Sequence, residues 1–342
     1  MTISKIRVAD IQENQTVELL LLVRRKNLAR SRNGKDYLNL KLGDRSGELA
    51  AFLWEDAERA GAALQEGDCV HIKARSQLFN GNLQLTLNFI EVWQGQIDPR
   101  NFLPHTDKHI PTMERDLRQI IVDIRDSWLR RLAEAFFIKD QEFAQAFALA
   151  PAAKAMHHAW LGGLLEHTLS VARIALKVAP LYPQINLDLV LTGALLHDIG
   201  KIHELTYERN LDYSTPGRLL GHVMIGVRMI QEKSATLKGF PAETLMLLEH
   251  LILSHHGEYE YGSPKRPKTQ EAIFLNFIDD FDAKLTAVNT FMNTPKNSDL
   301  EWSDYHRLFE RAFYLGPQAP LVEPASDSSP STSPSSEPPM LF

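Results

Sequence analysis

Histidine and aspartate side chains concentrate in one stretch of this sequence and could together bind divalent metal ions. Nine of the 13 histidines lie between residues 157 and 256. A neutral imidazole offers a nitrogen lone pair to a metal at physiological pH. A ligand set that mixes histidine with aspartate and lacks cysteine favours a hydrolytic Mn, Mg, Fe or Zn centre over a structural zinc site. The nine histidines are His157, His158, His167, His197, His203, His222, His250, His255 and His256.

The pair His197-Asp198 has both a structural and a metal-binding interpretation. It ends the apolar run LDLVLTGALL and is followed by Gly200, which we expect to form a turn, and by Lys201. An aspartate beside a helix end is commonly a cap, and a single histidine on an apolar helix is more often a core residue than a ligand. Other candidates also lie near the ends of apolar helical stretches, which is how a bundle builds a metal site from facing helices. These are His167, His222, His255 and Asp279.

The elements in the first 98 residues are predicted to be strands. Residues 16–25, 36–44, 47–55, 68–77 and 82–92 are apolar or alternate in polarity, and turn sequences such as Asn33-Gly34 and Asn80-Gly81 separate them. One helical stretch, residues 56–64, lies between the third and fourth strands. This order is typical of an OB-fold barrel, although other small barrels share it. We therefore predict an all-β OB-fold domain over residues 1–98.

The rest of the chain is predicted to be helical. Residues 99–111 contain several prolines and are predicted to be a linker, and apolar residues recur at helical spacing from Thr112 onward. We expect an all-α bundle over residues 112–317. Residues 318–342 are rich in proline and serine, which predicts a disordered tail. A docking peptide for a partner is the alternative interpretation of residues 338–342.

Composition excludes several classes of protein. The net charge of −6 argues against a basic nucleic-acid binder, although a local basic groove is compatible with it. The single cysteine, Cys69, excludes an internal disulfide and fits a reducing compartment. The amino terminus lacks an apolar signal region, and no run reaches the roughly 18 apolar residues of a membrane span. We expect a cytoplasmic protein with no membrane partner.

The order of the histidines and aspartates resembles the HD-domain superfamily of metal-dependent phosphohydrolases. The resemblance implies two divalent ions, with manganese as the expected metal and Mg, Co, Fe and Zn as alternatives. It makes Asp198 the ligand that bridges the two ions. Asp279 is the implied last metal ligand, and Asp282 is the alternative to it. His256 is implied to assist catalysis or to bind phosphate. The implied metal ligands are His167, His197, Asp198, His222, His255 and Asp279.

Longer stretches narrow the resemblance to the YhaM-type 3′→5′ exoribonucleases. HHAWLGGLLEHTLSV, ALLHDIGK, GRLLGHV and SHHGEYEYGSPKRPKTQEA carry it, preceded by the OB-like half, over residues 1–315. It implies hydrolysis of single-stranded RNA to nucleoside 5′-monophosphates, with single-stranded DNA as a further substrate, and a homo-oligomer. The catalytic residues expected are Asp198, Lys201 and His256, where Lys201 would offset phosphate charge.

Basic residues indicate where a nucleic-acid strand would bind. Residues 24–35, between the first two predicted strands, contain six basic residues and no acid, and OB folds often bind oligonucleotides there. Tyr37, Phe52, Trp54 and Phe79 are available for base stacking, although a small barrel also needs large core residues. The residues expected to bind substrate are His157, His158, Arg30, Arg32, Lys35, Lys265 and Arg266. Structural capping is the alternative for the two histidines, and a solvated loop is the alternative for Lys265 and Arg266.

Two other functions fit the same residues. An HD-domain phosphohydrolase of small nucleotides would use the same ligands but would not need a strand-binding domain. A cyclic-dinucleotide phosphodiesterase is disfavoured because no Gly-Tyr-Pro follows His255-His256-Gly257. A single-strand-binding protein with an inactive HD site is the third hypothesis, which the presence of every matched ligand disfavours.

Overall fold

The structure, a computed structural model, describes residues 6–31, 33–154, 158–207, 211–294 and 300–316. Its contacts group the chain into one compact unit, Met1–Ala287, and a second unit, Val288–Phe342. The predicted tail over residues 318–342 lies outside the described residues, as do two of the predicted substrate-binding residues, Arg32 and His157.

The amino-terminal part of the first unit is a closed five-stranded barrel, as predicted. Its strands pair in the order β1-β2-β3-β5-β4, and β4 closes the barrel on β1. Strands β3 and β5 are parallel, and the other neighbours are antiparallel. Alternate apolar side chains such as Leu40, Ile72 and Leu85 fill the interior. The elements are β1 (Thr16–Arg30), β2 (Asp36–Asp44), β3 (Gly47–Leu53), α1 (Ala57–Ala63), β4 (Cys69–Phe79) and β5 (Asn82–Val92).

Strand β1 is longer than the sequence predicts. It continues to Arg30, so most of the basic segment lies in a strand, and the expectation of a basic loop between strands one and two is wrong for residues 24–30. The pairing shifts register between Val23 and Arg25, and Arg25 to Arg30 then pair with β2. Backbone pairing holds this part of the strand while its side chains are largely exposed, so no apolar alternation marks it.

The remainder of the first unit is helical, as predicted. The short strands β6 (Leu205–Thr206) and β7 (Asp212–Tyr213) form a hairpin between α7 and α8. Among the described residues, no helix has the length and apolar character needed to cross a membrane. The helices are α2 (Ile110–Asp123), α3 (Ser127–Phe137), α4 (Gln141–Leu149), α5 (Gly163–Val178), α6 (Leu187–Leu196), α7 (Lys201–Glu204), α8 (Thr215–Ala235), α9 (Ala242–Ser254) and α10 (Gln270–Met292).

Helix starts follow local capping chemistry. Asp126, Asp140, Asn186 and Ser214 each accept a hydrogen bond from a main-chain N–H of the first turn of α3, α4, α6 and α8. The interior between these helices is apolar and includes the fully buried faces of α5 and α6. These two helices therefore hold their ends in fixed positions, and His167, His197 and Asp198 lie on them or directly after them.

The segment predicted as a linker packs against both parts of the first unit. Arg24 donates from Nη2 to the carbonyl of Phe102 at 2.7 Å, which ties the segment to the barrel. Leu161 N–H donates to the carbonyl of Pro104, and Thr106 N–H donates to the carbonyl of Leu161, both at 2.8 Å. These bonds fix residues 102–106 between the barrel and the start of α5.

The second unit contains a small cluster of aromatic residues in its described part. Trp302 pairs with Tyr314 through an isolated bridge. The His306 ring lies 4.9 Å from that of Phe309. Phe309 and Phe313 pack edge to face at 5.7 Å between ring centroids.

Candidate metal centre

Five helices bring the candidate ligands to one buried point. His167 lies on α5, and His197 and Asp198 directly follow α6. His255 and His256 directly follow α9, and Asp279 lies on α10. His222 follows a break in α8 at Gly221, whose φ of 72° is a left-handed conformation that favours glycine. Each ligand is thus placed by a helix end, a helix break or a buried helix face.

The first half of the site contains His167, His197 and Asp279, which are close enough to share a metal ion. The Nε2 atom of His167 lies 3.0 Å from Oδ1 of Asp279 and 3.2 Å from Nε2 of His197. Oδ2 of Asp198 lies 3.2 Å from His197 Nε2. The donors of this half therefore converge on a single point.

The second half contains His222, His255 and His256, which form another group that could hold an ion. Nε2 of His222 lies 3.0 Å from Nε2 of His256. The second carboxylate oxygen of Asp198, Oδ1, lies 3.5 Å from His222 Nε2 and 3.8 Å from His255 Nε2. Asp198 thus faces one half with each of its two oxygens.

Four of the histidines are oriented by a hydrogen bond from Nδ1. Because Nδ1 is bonded to a fixed acceptor, each ring is held with its Nε2 atom toward the centre of the site. The donor–acceptor pairs are His167 with Asp282 at 2.8 Å, His222 with Glu204 at 3.0 Å, His197 with the carbonyl of Ala194 at 2.9 Å, and His255 with the carbonyl of Ile252 at 2.7 Å.

The donor set fits divalent metal ions. Asp198 Oδ1 and His255 Nε2 are buried and have no hydrogen-bond partner among the described residues, although burying an unpaired polar atom is costly. Nitrogen atoms as close as those of His222 and His256 would repel each other unless a proton or a cation lay between them. Imidazole and carboxylate ligands without sulfur suit a catalytic centre.

The protonation of the site reflects its buried charges. Burial disfavours charge on His167, but Asp279 and Asp282 outweigh it and raise the pKa of this histidine to about 9. Burial and the nearby His222 lower the pKa of His256 to about 4. Burial raises the pKa of Asp198, but Lys201 and His197 more than offset this and hold it well below its usual range. Ionised aspartates therefore provide the negative charge that a divalent cation requires.

Two other predicted site residues lie beside the ligands. Lys201 is largely buried, and its Nζ lies 2.6 Å from Oδ2 of Asp198. His158 is also buried, behind His167, and its Nε2 lies 3.1 Å from Oδ2 of Asp282. The sequence predicts that His158 binds substrate, whereas the structure places it in contact with the residue that holds a ligand.

The remaining predicted substrate-binding residues lie on surfaces. Arg266 contacts Oε2 of Glu258 at 2.7 Å and stacks over the ring of Tyr259, and Lys265 beside it is exposed. Arg30 donates to the carbonyl of Gly34 and has a 75% exposed side chain, and Lys35 is exposed.

Three buried or half-buried carboxylates accept hydrogen bonds beside the candidate ligands, a role that the sequence does not predict. The sequence predicts Asp282 only as an alternative metal ligand to Asp279, and it predicts no role for Glu204. Glu166, next to His167, accepts hydrogen bonds from Thr106 and Trp160 and pairs with Lys108 at 2.8 Å. The sequence feature that could have indicated such residues is an acidic residue within a largely apolar helical segment. A carboxylate there is buried only when it has hydrogen-bond or charge partners.

Gly200 lies in a turn over residues 197–200, as the sequence predicts, but its backbone conformation is not what requires glycine there. Its φ of −63° and ψ of −19° are ordinary right-handed helical values that any residue adopts. A Cβ atom at this position would lie 2.0 Å from the carbonyl oxygen of His222. Glycine is therefore required because the main chains of α7 and α8 approach each other closely beside the metal centre.

Comparison with known proteins agrees with this description. Residues 164–284 match the HD domain family, and residues 21–93 match a family described as an OB-fold nucleic acid binding domain. The 3′-5′ exoribonuclease YhaM of Listeria monocytogenes is 33% identical over 313 residues, which cover 90% of this chain and 97% of that protein.

Further relatives carry the same name. The YhaM protein of Bacillus pumilus is 34% identical over 88% of this chain and 95% of its own length. That of Halalkalibacterium halodurans is 32% identical over 81% of this chain and 86% of its own length. The resemblance predicted from the sequence is confirmed: the chain belongs to the YhaM family of 3′-5′ exoribonucleases, with an OB-fold domain followed by an HD domain.

Proposed function

We propose that this protein is a metal-dependent exonuclease that degrades single-stranded RNA from the 3′ end, with single-stranded DNA as a further substrate. The observation that carries the proposal is the position of Asp198, whose two oxygens face two separate groups of histidines. The names of the relatives support the direction of attack and the preference for RNA.

Two ions, proposed to be manganese, would occupy the two halves of the site. Such a pair activates a water molecule and stabilises the attacking and leaving oxygens of a phosphodiester displacement. The first ion would be held by His167, His197 and Asp279, and the second by His222 and His255 with His256 beside them. Asp198, which faces both groups, would contribute to each.

The side chains of the site have separate roles in the proposed reaction. Asp198 remains ionised and bridges the two halves, and Lys201 beside it offsets the negative charge of the terminal phosphate. His256 is neutral near pH 7 because its pKa is about 4, so it can contact phosphate or assist catalysis without adding positive charge.

The proposed reaction is a hydrolysis. The oxygen of water bonds to the terminal phosphorus while the bond from phosphorus to the 3′ oxygen of the preceding nucleotide breaks. That oxygen takes up a proton and stays with the shortened strand, and the terminal nucleotide leaves as a 5′-monophosphate. The barrel, with Arg30, Arg32 and Lys35, would hold the upstream strand, and Lys265 and Arg266 would contact it nearer the site.

A single assay tests the proposal against its alternatives. Single-stranded RNA labelled at its 5′ end is incubated with the protein and Mn²⁺, and products are followed on a sequencing gel and by chromatography. We expect a ladder that shortens from the 3′ end and the release of nucleoside 5′-monophosphates. Phosphate release from mononucleotides with RNA untouched would identify a small-nucleotide hydrolase instead. Strand binding without turnover in any divalent metal would identify a binding protein.

A further inference from the structure

We infer that Asp282 and Glu204 are positioning residues, and that each orients a histidine of a different half of the metal centre. The inference rests on the proposed two-ion site and assigns to each half a carboxylate of its own. Glu204 belongs to none of the candidate metal groups among the described residues, whereas Asp282 also forms a third group with His158 and His167. We assign Asp282 to orientation because it bonds to Nδ1 of His167, whereas Asp279 and His197 face Nε2 of that ring.

Asp282 serves the first half. It lies on α10 three residues after Asp279 and is 7% exposed. Its Oδ2 accepts hydrogen bonds from Nδ1 of His167 at 2.8 Å and from Nε2 of His158 at 3.1 Å, and its Oδ1 accepts one from the hydroxyl of Ser170. With three donors on one carboxylate, the His167 ring is held at a fixed angle and its Nε2 points toward Asp279.

Glu204 serves the second half. It is 8% exposed, and its Oε1 accepts hydrogen bonds from both Nδ1 and the main-chain N–H of His222, at 3.0 and 2.9 Å. One oxygen therefore orients the His222 ring relative to its own backbone. This matters because His222 follows the break at Gly221, where the backbone leaves the helical conformation. As at a helix start, a side-chain acceptor takes up the main-chain N–H there.

The other two oriented histidines need no side chain for this purpose. His197 and His255 donate from Nδ1 to main-chain carbonyls three residues earlier, at the ends of α6 and α9. The helix end itself sets the angle of these rings. The centre thus combines, in each half, one histidine held by backbone with one held by a carboxylate.

Replacing either carboxylate by its amide should weaken one ion specifically. At position 282 an amide has one oxygen to offer three donors, and at position 204 it is a weaker acceptor for His222. Loss of such an outer hydrogen bond typically costs about 10–100-fold in metal affinity. Asp282→Asn should therefore weaken the first-half ion, and Glu204→Gln the second-half ion, each by about that factor.

Direct binding of Mn²⁺ provides a measurement that does not depend on activity. The full-length protein is titrated with Mn²⁺, and free ion is measured by electron paramagnetic resonance. Asp279→Asn, which removes a proposed first-half ligand, identifies the binding step of that half. We expect Asp282→Asn to weaken the same step as Asp279→Asn, Glu204→Gln to weaken the other step, and the double variant to weaken both.

Two further variants keep the test decisive. Asp280→Asn changes an exposed aspartate of the same helix, paired with Lys284 at 2.7 Å, and should leave both steps unchanged. If Asp282→Asn fails to fold, Ser170→Ala removes only one donor to Asp282 and should give a smaller loss in the first step.

If the wild-type protein binds two ions and the two amide variants weaken neither step, or the same step, the inference is wrong. If the wild-type protein binds fewer than two ions, the proposed two-ion site fails as well.

Discussion

At the scale of single residues, Asp198 is the side chain on which both halves of the site depend. It is almost fully buried, and burial of a lone carboxylate would be strongly unfavourable. Lys201 and the surrounding histidines keep it ionised. A group that the fold keeps charged in the interior, with one oxygen free of hydrogen bonds among the described residues, is suited to bind a cation.

Asp198→Asn is expected to abolish turnover while strand binding persists. The amide removes the bridging charge without changing side-chain volume, so we expect the rate of RNA degradation to fall by at least ~10³-fold. Gel assays of 5′-labelled RNA measure the rate, and fluorescence anisotropy measures binding. Near-normal activity of the variant would show that Asp198 does not bridge the metal ions.

At the scale of elements, the site depends on how closely α7 approaches α8. Gly200 meets the main chain of His222, and α7 also supplies Lys201 and Glu204 to the two halves. The residues between α6 and α8 must therefore allow the close packing of α7 on α8 and also place the side chains that contact the ligands. A separation of these two helices would move His222 away from Asp198.

Gly200→Ala is expected to destabilise the protein, and Gly226→Ala provides a matched control. The new methyl group at position 200 would overlap the His222 carbonyl, and overpacking of this kind costs about 1–3 kcal/mol or more. At position 226 the nearest atoms would lie 3.5 Å away or farther, which is ordinary contact. Thermal unfolding compares the two variants, and an equal loss of stability in both would contradict the close-approach argument.

At the scale of the whole molecule, the metal centre connects distant parts of the sequence. Its candidate ligands run from His167 to Asp279 and come from α5, α10, the ends of α6 and α9, and the break in α8. Asp198 Oδ1 and His255 Nε2 are buried here, and neither has a hydrogen-bond partner in the part of the chain that the structure describes. Binding of metal should therefore stabilise the folded helical region as a unit.

Removal of metal is expected to lower the unfolding temperature. An ion present at ~100 times its Kd contributes about 2.7 kcal/mol to the stability of the state that binds it. Differential scanning calorimetry with Mn²⁺ and with a chelator measures the difference. Asp198→Asn should respond less to the chelator than the wild-type protein does. A chelator effect of the same size in both would place the stabilising ion elsewhere.

The barrel is expected to contribute salt-dependent affinity for the strand. Replacing Arg30 and Lys35 by alanine should weaken single-stranded RNA binding and reduce the slope of log affinity against log salt by roughly 0.7 for each lost phosphate contact. Arg59→Ala, which removes an exposed charge on α1, is the control. If it weakens binding as much as the loss of Arg30 does, the basic segment has no special role.

The sequence by itself determined both folds and the residue types of the candidate site. Alternating strands with turn signals predicted the barrel, because half-buried strands need that pattern. The helical bundle and the series from His167 to Asp279 could be recognised for the same reason: ligands near the ends of apolar helices leave a local signal. The roles of the individual ligands remain predictions.

Only the tertiary structure decided which aspartate of α10 faces the centre. Asp279 and Asp282 are three residues apart and so lie within about 60° on one helix face, which periodicity cannot separate. Packing against α5 places Asp279 beside His167 Nε2 and Asp282 beside its Nδ1. Likewise, the His222 carbonyl lies against Gly200, and the His222 ring contacts Glu204. Both contacts join residues of different elements. Such contacts depend on helix packing, which local sequence patterns do not encode.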